Sequence, residues 1–151
     1  VNLDLSKTAI PAREIMQVIE KTGMLDQVTC YTGSSADLGK EYYEIDNRIS
    51  IHLSVSSTSA IGNIAGTKSV PLFQINTAKY WDGTSASSEL SNAIRKRGYC
   101  TFSNLLNYDK KVRDGNIDAL KAFCDAKIDF LQTDYGDHAN IVNYLKERGL
   151  R

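Results

Sequence analysis

Residues 43–55 carry the clearest periodic signal in the chain. Tyr43, Ile45, Ile49, Ile51, Leu53 and Val55 occupy odd positions, and Glu44, Arg48, Ser50, His52 and Ser54 occupy even ones. A period of two marks a strand buried on one face, the pattern typical of antiparallel sheets. Asp46-Asn47-Arg48 interrupts the run with turn-forming residues. A three-residue loop would pair Ile45 with Ile49 and Tyr43 with Ile51, keeping one apolar face, whereas a two-residue loop would mix the faces. One unbroken strand keeps the face as well, but the Asp-Asn chemistry favours a hairpin.

Around this hairpin, VNLDL and QVTCY read as short strands. PAREIMQVIEKTG reads as a helix, with Pro11 in its first turn, Ile15, Val18 and Ile19 on one face and Gly23 as its stop. Helices are also expected in SASSELSNAIRKRG, in NIDALKAFCDAKIDFLQ and in DHANIVNYLKERG, where Asp137 is the expected N-cap. TFSNLL reads as a further short helix, and TGSSADLGK and STSAIGNIAGTKS as loops. In the second loop, Gly66-Thr67-Lys68 has the wrong order and spacing for a phosphate-binding P-loop. The expectation is one α+β domain over residues 1–151. Its small antiparallel or mixed sheet comes mainly from the N-terminal half and packs against three or more helices.

Composition narrows the function classes. Eighteen basic residues balance eighteen acidic ones, which predicts no long-range attraction to nucleic acid or anionic membrane. No apolar run approaches the length of a transmembrane segment. Cys30, Cys100 and Cys124 show no compact metal-ligand spacing. They read as reduced thiols, which favours a cytoplasmic over a secreted setting, with one disulfide plus a free thiol as the alternative. No motif calls for a metal or a cofactor.

Several groups of residues carry candidate chemistry. Glu44, Asp46 and His52, with Glu41 nearby, provide carboxylates and an imidazole for general acid–base work. Asp134, Asp137 and His138 lack a zinc-binding pattern. No G-x-S-x-G elbow supports a serine nucleophile. Arg95, Lys96 and Arg97, and separately Lys110, Lys111 and Arg113, form basic clusters near Tyr99, Phe102 and Tyr108, the ingredients of a nucleic-acid surface. Asn76, Tyr80, Trp81 and Asp82 combine aromatic area with polar groups suited to a ligand.

FQINTAKYWDG resembles a short stretch of the animal-type lysozyme family, through Phe73, Gln74, Ile75, Asn76, Tyr80 and Trp81. The resemblance implies a segment beside a glycan cleft and covers under a tenth of the chain. That family's acidic residue before Q-I-N is replaced here by Gly66, Thr67, Lys68 and Ser69, and three cysteines cannot build its four disulfides. Membership does not follow. The expected function is a non-catalytic binding or structural domain that recognises a protein or glycan surface through Tyr80-Trp81. A glycan-directed hydrolase using paired carboxylates is the alternative, and a weak nucleic-acid binder comes third.

Overall fold

The structure, a computed structural model, describes residues 1–64 and 71–150. Six strands alternate with helices along the chain: β1 (Asn2–Asp4), β2 (Thr29–Tyr31), β3 (Ser50–Val55), β4 (Leu72–Ile75), β5 (Cys100–Asn104) and β6 (Phe130–Gln132). They follow one another across a single sheet in sequence order. β1–β2, β2–β3 and β5–β6 pair in parallel. The chain is therefore α/β and parallel, not α+β with an antiparallel or mixed sheet. Its strands are spread along the whole length and not gathered in the N-terminal half.

The expected hairpin is absent because its first arm, up to Ile45, is helical. Residues Ala36–Ile45 form helix α2, which follows α1 (Ala12–Lys21). The Ser35 hydroxyl caps α2 by accepting the Leu38 N–H at 3.1 Å. Leu38, Tyr42 and Ile45 then recur at helical spacing, so the odd parity of Tyr43 and Ile45 is a coincidence of register. Asp46-Asn47-Arg48 is a turn, as expected, with the Arg48 N–H donating to Asp46 Oδ1 at 2.9 Å. It joins a helix to a parallel strand.

Other expectations shift for related reasons. TFSNLL lies within and just after strand β5. NIDALKAFCDAKIDFLQ is divided: α6 (Asp118–Asp125) ends before Lys127, whose φ of 58° is left-handed, and β6 follows. Thr58–Ile64 is helix α3 and not loop, while Gly66-Thr67-Lys68 lies outside the described residues. The remaining helices are α4 (Glu89–Arg95), α5 (Asp109–Arg113) and α7 (Ala139–Glu147). His138, not Asp137, caps α7, its Nδ1 accepting the Asn140 N–H at 3.3 Å.

The chain separates into two compact units. The first holds Val1–Gln74 and Arg97–Tyr99, and the second holds Ile75–Lys96 and Cys100–Arg151. In the first, register aligns Leu3, Cys30 and Ile51 on one face and Asp4, Tyr31 and His52 on the other. The apolar face is covered by helices, and Met16, Ile19, Tyr42, Ile51 and Leu53 are all buried. Gly39 of α2 brings backbone close to that face: a Cβ there would lie 3.1 Å from Ile51 Cγ2.

In the second unit Leu105, Val112, Ala119, Leu120 and Ile141 form the core cluster. Thr101 and Asp129 lock the start of β5 to the start of β6. The Thr101 N–H and hydroxyl reach Asp129 Oδ2, both at 2.8 Å, and the Asp129 N–H returns to Thr101 Oγ1 at 3.0 Å.

Replacing Gly39 by valine forces two further methyl groups into the α2–β3 contact and should destabilise the protein by about 1–3 kcal/mol, the usual cost of overpacking. Urea denaturation of Gly39→Val measures this. A midpoint equal to wild type would mean that the helix can retreat freely.

Candidate active site

Parallel strands joined by helices have one informative end. In parallel (β/α) barrel enzymes the catalytic groups stand at the C-terminal ends of the strands, and the opposite end carries residues that serve stability. Each unit is described in those terms.

In the first unit the face away from the helices is polar. It carries Asn2 and Asp4 on β1, Thr29 and Tyr31 on β2, and Ser50, His52 and Ser54 on β3. Near its N-terminal end, Asn2 Oδ1 accepts both the Thr29 hydroxyl at 3.2 Å and His52 Nδ1 at 3.3 Å. Nearer the C-terminal end, the Tyr31 hydroxyl meets Ser54 Oγ at 3.1 Å. At the end of β1, Asp4 Oδ1 accepts the Ser6 hydroxyl at 2.6 Å and the Ser6 N–H at 3.1 Å. Asp4 is exposed and Lys7 follows in the same loop.

His52 is fully buried. Desolvation disfavours the imidazolium and pushes its pKa down to about 4, so the ring is neutral at physiological pH. Glu44 and Asp46 stand elsewhere. They lie where α2 returns to the start of β3, at the N-terminal end of the strands, beside a shallow depression lined by residues 43–48. The structure does not bring them together with His52. Arg48 hydrogen-bonds the Asp46 carboxylate and holds it below the usual carboxylate range.

In the second unit the loop after β4 is folded on itself. Asn76 caps a short 3-10 turn, with Oδ1 accepting the Ala78 N–H at 3.0 Å. Tyr80 is buried, and its hydroxyl accepts from Ser103 at 3.2 Å. Asp82 accepts the N–H and hydroxyl groups of both Thr84 and Ser85 at 2.7–2.9 Å. These bonds hold its pKa well below the carboxylate range. Trp81 packs edge-on against Tyr108, with ring centroids 5.2 Å apart, and leans on the core cluster. It also forms one wall of a cleft of about 330 Å³ with Thr84, Ser85, Asp118, Lys121 and Asp125. The segment is a self-bonded loop anchored by its aromatic rings, and only part of Trp81 is open.

The basic clusters lie at opposite ends of β5: Arg95, Lys96 and Arg97 precede it, whereas Lys110, Lys111 and Arg113 follow on α5. Arg95 is drawn to Asp129 at 3.5 Å and Arg113 to Asp114 at 2.8 Å. Among the described residues no group of three His, Cys, Asp or Glu side chains is placed to hold a metal, and no helix is long and apolar enough to cross a membrane. All three cysteines are free.

Residues that the sequence reading passed over stand at the C-terminal ends of the strands. Asp4, Ser6, Tyr31 and Ser54 do so in the first unit. In the second, buried Asp109 accepts the Thr133 hydroxyl at 2.6 Å and the Asp134 N–H at 2.9 Å, fixing the loop after β6. The available signal was strand parity: Asn2 and Asp4 alternate with Leu3, and Ser50, His52 and Ser54 with Ile51 and Leu53.

No family model matches the chain, and no curated protein does. Solved structures do. A glycerophosphoryl diester phosphodiesterase from Parabacteroides distasonis ATCC 8503 superposes over 97% of this chain and 50% of its own, with a TM-score of 0.73 at 13% identity. A Galdieria sulphuraria protein assigned as a glycerophosphodiester phosphodiesterase matches over 96% and 56%, with a TM-score of 0.73 at 9% identity. A Silicibacter pomeroyi DSS-3 protein assigned to the same activity matches over 92% and 44%, with a TM-score of 0.65 at 11% identity. The chain thus spans about half the length of these proteins. At such identities the likeness is one of fold.

Two stability tests follow from this geometry. Folded His52 has a lower pKa than the unfolded residue, near 6.5, so the unfolded state binds the extra proton between those values. The stability due to neutral His52 is complete above pH 6.5 and falls away towards pH 4, by roughly 3 kcal/mol in all. Urea midpoints should drop across that window in wild type and drop less in His52→Phe. Separately, Asp109→Ala strands a hydroxyl and an N–H and should cost about 1–3 kcal/mol for each group left buried, read from thermal melts.

The parallel strands with helices between them thus have the TIM-barrel-like fold of the glycerophosphodiester phosphodiesterases on which the chain superposes. The solved structures that share this fold are phosphodiesterases by description, which runs against the expected non-catalytic binding domain, with its protein or glycan surface at Tyr80-Trp81, and agrees better with the hydrolase alternative.

Proposed function

We propose that the protein hydrolyses phosphodiesters of glycerol. The observation that carries this reading is the superposition of almost the whole chain on glycerophosphodiester phosphodiesterases. A polar strand face ending in an exposed carboxylate supports it.

Hydrolysis needs a water oxygen to attack phosphorus while the bond to the leaving alcohol breaks and that alcohol gains a proton. Asp4 is the candidate base for the water. Ser6 holds its Oδ1 in a charge-assisted bond, and Oδ2 takes part in none of the hydrogen bonds described for Asp4. Lys7 supplies a positive charge to a substrate that is itself an anion.

The test uses the full-length protein with glycerophosphocholine and bis(p-nitrophenyl) phosphate. Asp4→Asn should lower kcat by about 10²–10⁴, the usual range for a lost general base. A hydrolase that relies instead on Glu44, Asp46 and His52 would lose comparable activity in Glu44→Gln. Full activity in Asp4→Asn would discard the role given to Asp4, and no turnover of either substrate by wild type would discard the reading.

A further inference from the structure

Tyr31 and His52 are register partners on adjacent strands of the polar face, yet their side chains lean in opposite directions. The imidazole turns towards the N-terminal end, where Nδ1 meets Asn2, a residue level with Thr29 and Ser50. The phenol turns the other way and reaches Ser54, two residues beyond His52 along β3. The two rings pack at 4.9 Å between centroids, tilted by 52°. A buried imidazole therefore forms a floor under the Tyr31 ring, and the hydroxyl above it is directed to the end of the sheet where barrel enzymes act. Ser54 is held as well, through its N–H to the Gly33 carbonyl at 2.7 Å.

From this arrangement we infer that Tyr31 and Ser54 form a preset hydroxyl pair that binds the phosphoryl oxygens of the substrate, with His52 as the residue that positions Tyr31. The inference rests on the phosphodiesterase reading and adds to it the groups that meet the anion. The bond between the two hydroxyls uses one of their two O–H donors and leaves the other, fixed in direction with little reorganisation, to donate to a phosphoryl oxygen, the property that makes preset donors effective at developing negative charge. His52 acts here by its shape. It is neutral and fully buried, so the role assigned to it is support of the ring above it, not proton transfer.

The experiment uses the full-length protein and follows both turnover of glycerophosphocholine and binding of sn-glycerol 3-phosphate. Tyr31→Phe should lower kcat by about 10²-fold, as removal of one preset donor does elsewhere, and should weaken binding several-fold without moving the melting temperature much. His52→Phe keeps an aromatic floor and should retain most of kcat, whereas His52→Ala should lose about tenfold. In a Tyr31→Phe background, His52→Ala should cause no further loss, because a positioning residue acts only through the group it positions.

Tyr31→Phe within twofold of wild type in both turnover and binding would overturn the hydroxyl pair while leaving the hydrolase reading intact. His52→Phe as inactive as His52→Ala would assign the imidazole a chemical role and remove the positioning one. Binding without hydrolysis, lost in Tyr31→Phe, would discard the hydrolase reading and keep the pair. A wild-type protein that neither binds nor hydrolyses would discard both.

Discussion

Parallel pairing of successive strands is the constraint on which everything else in this structure depends. A strand that must lie parallel to its predecessor needs a crossover long enough to return the chain to the starting end, and the helices supply it. The crossover covers one face of the sheet and leaves the other to be polar or apolar as side-chain parity dictates. In the first unit this division is clean: Cys30, Ile51 and Leu53 face the helices, and Asn2, Asp4, Tyr31 and His52 face away. Direction also separates the two ends of each strand, so that a residue's place in the chain gives it a place on the working end or the supporting end.

That constraint explains which parts of the fold could be read from the sequence. α1 and α7 were legible because their apolar stripes and terminal glycines agree. β1 and β2 were legible as strands, but at three residues each they carry no sign of their pairing direction. The alternation from Ser50 to Val55 was read correctly as a two-faced strand. Extending it back to Tyr43 was the error, because the last turn of α2 happened to preserve parity. β5 and β6 were lost to neighbouring helical patterns: TFSNLL has one apolar residue at each spacing, and Phe130-Leu131 continues the stripe of α6 in projection. Residues 126–129 separate the two, and among them Lys127 takes a left-handed conformation that no sequence pattern announces.

The site was less legible than the fold. His52 was singled out for its pKa near neutrality, yet burial moves it far from that value and changes what the ring can do. Asp82 drew notice as an exposed acid beside Trp81, and four local hydrogen bonds occupy it. Asp4 passed unremarked because its significance comes from standing at the end of a strand whose direction was unknown. Residue type identifies what chemistry is available; only topology says which end of the sheet presents it.

The close approach at Gly39 couples the size of one helix residue to the size of its neighbours on the strand. Beyond hydrogen, a side chain at this position would press on Ile51, with Thr32 and Leu53 also within 4 Å. A larger residue at position 39 requires Ile51 to give by a few tenths of an ångström, or a smaller residue on the strand. Volume at position 39 and volume on the facing strand are therefore shared between the two elements, and a change in either is felt by both.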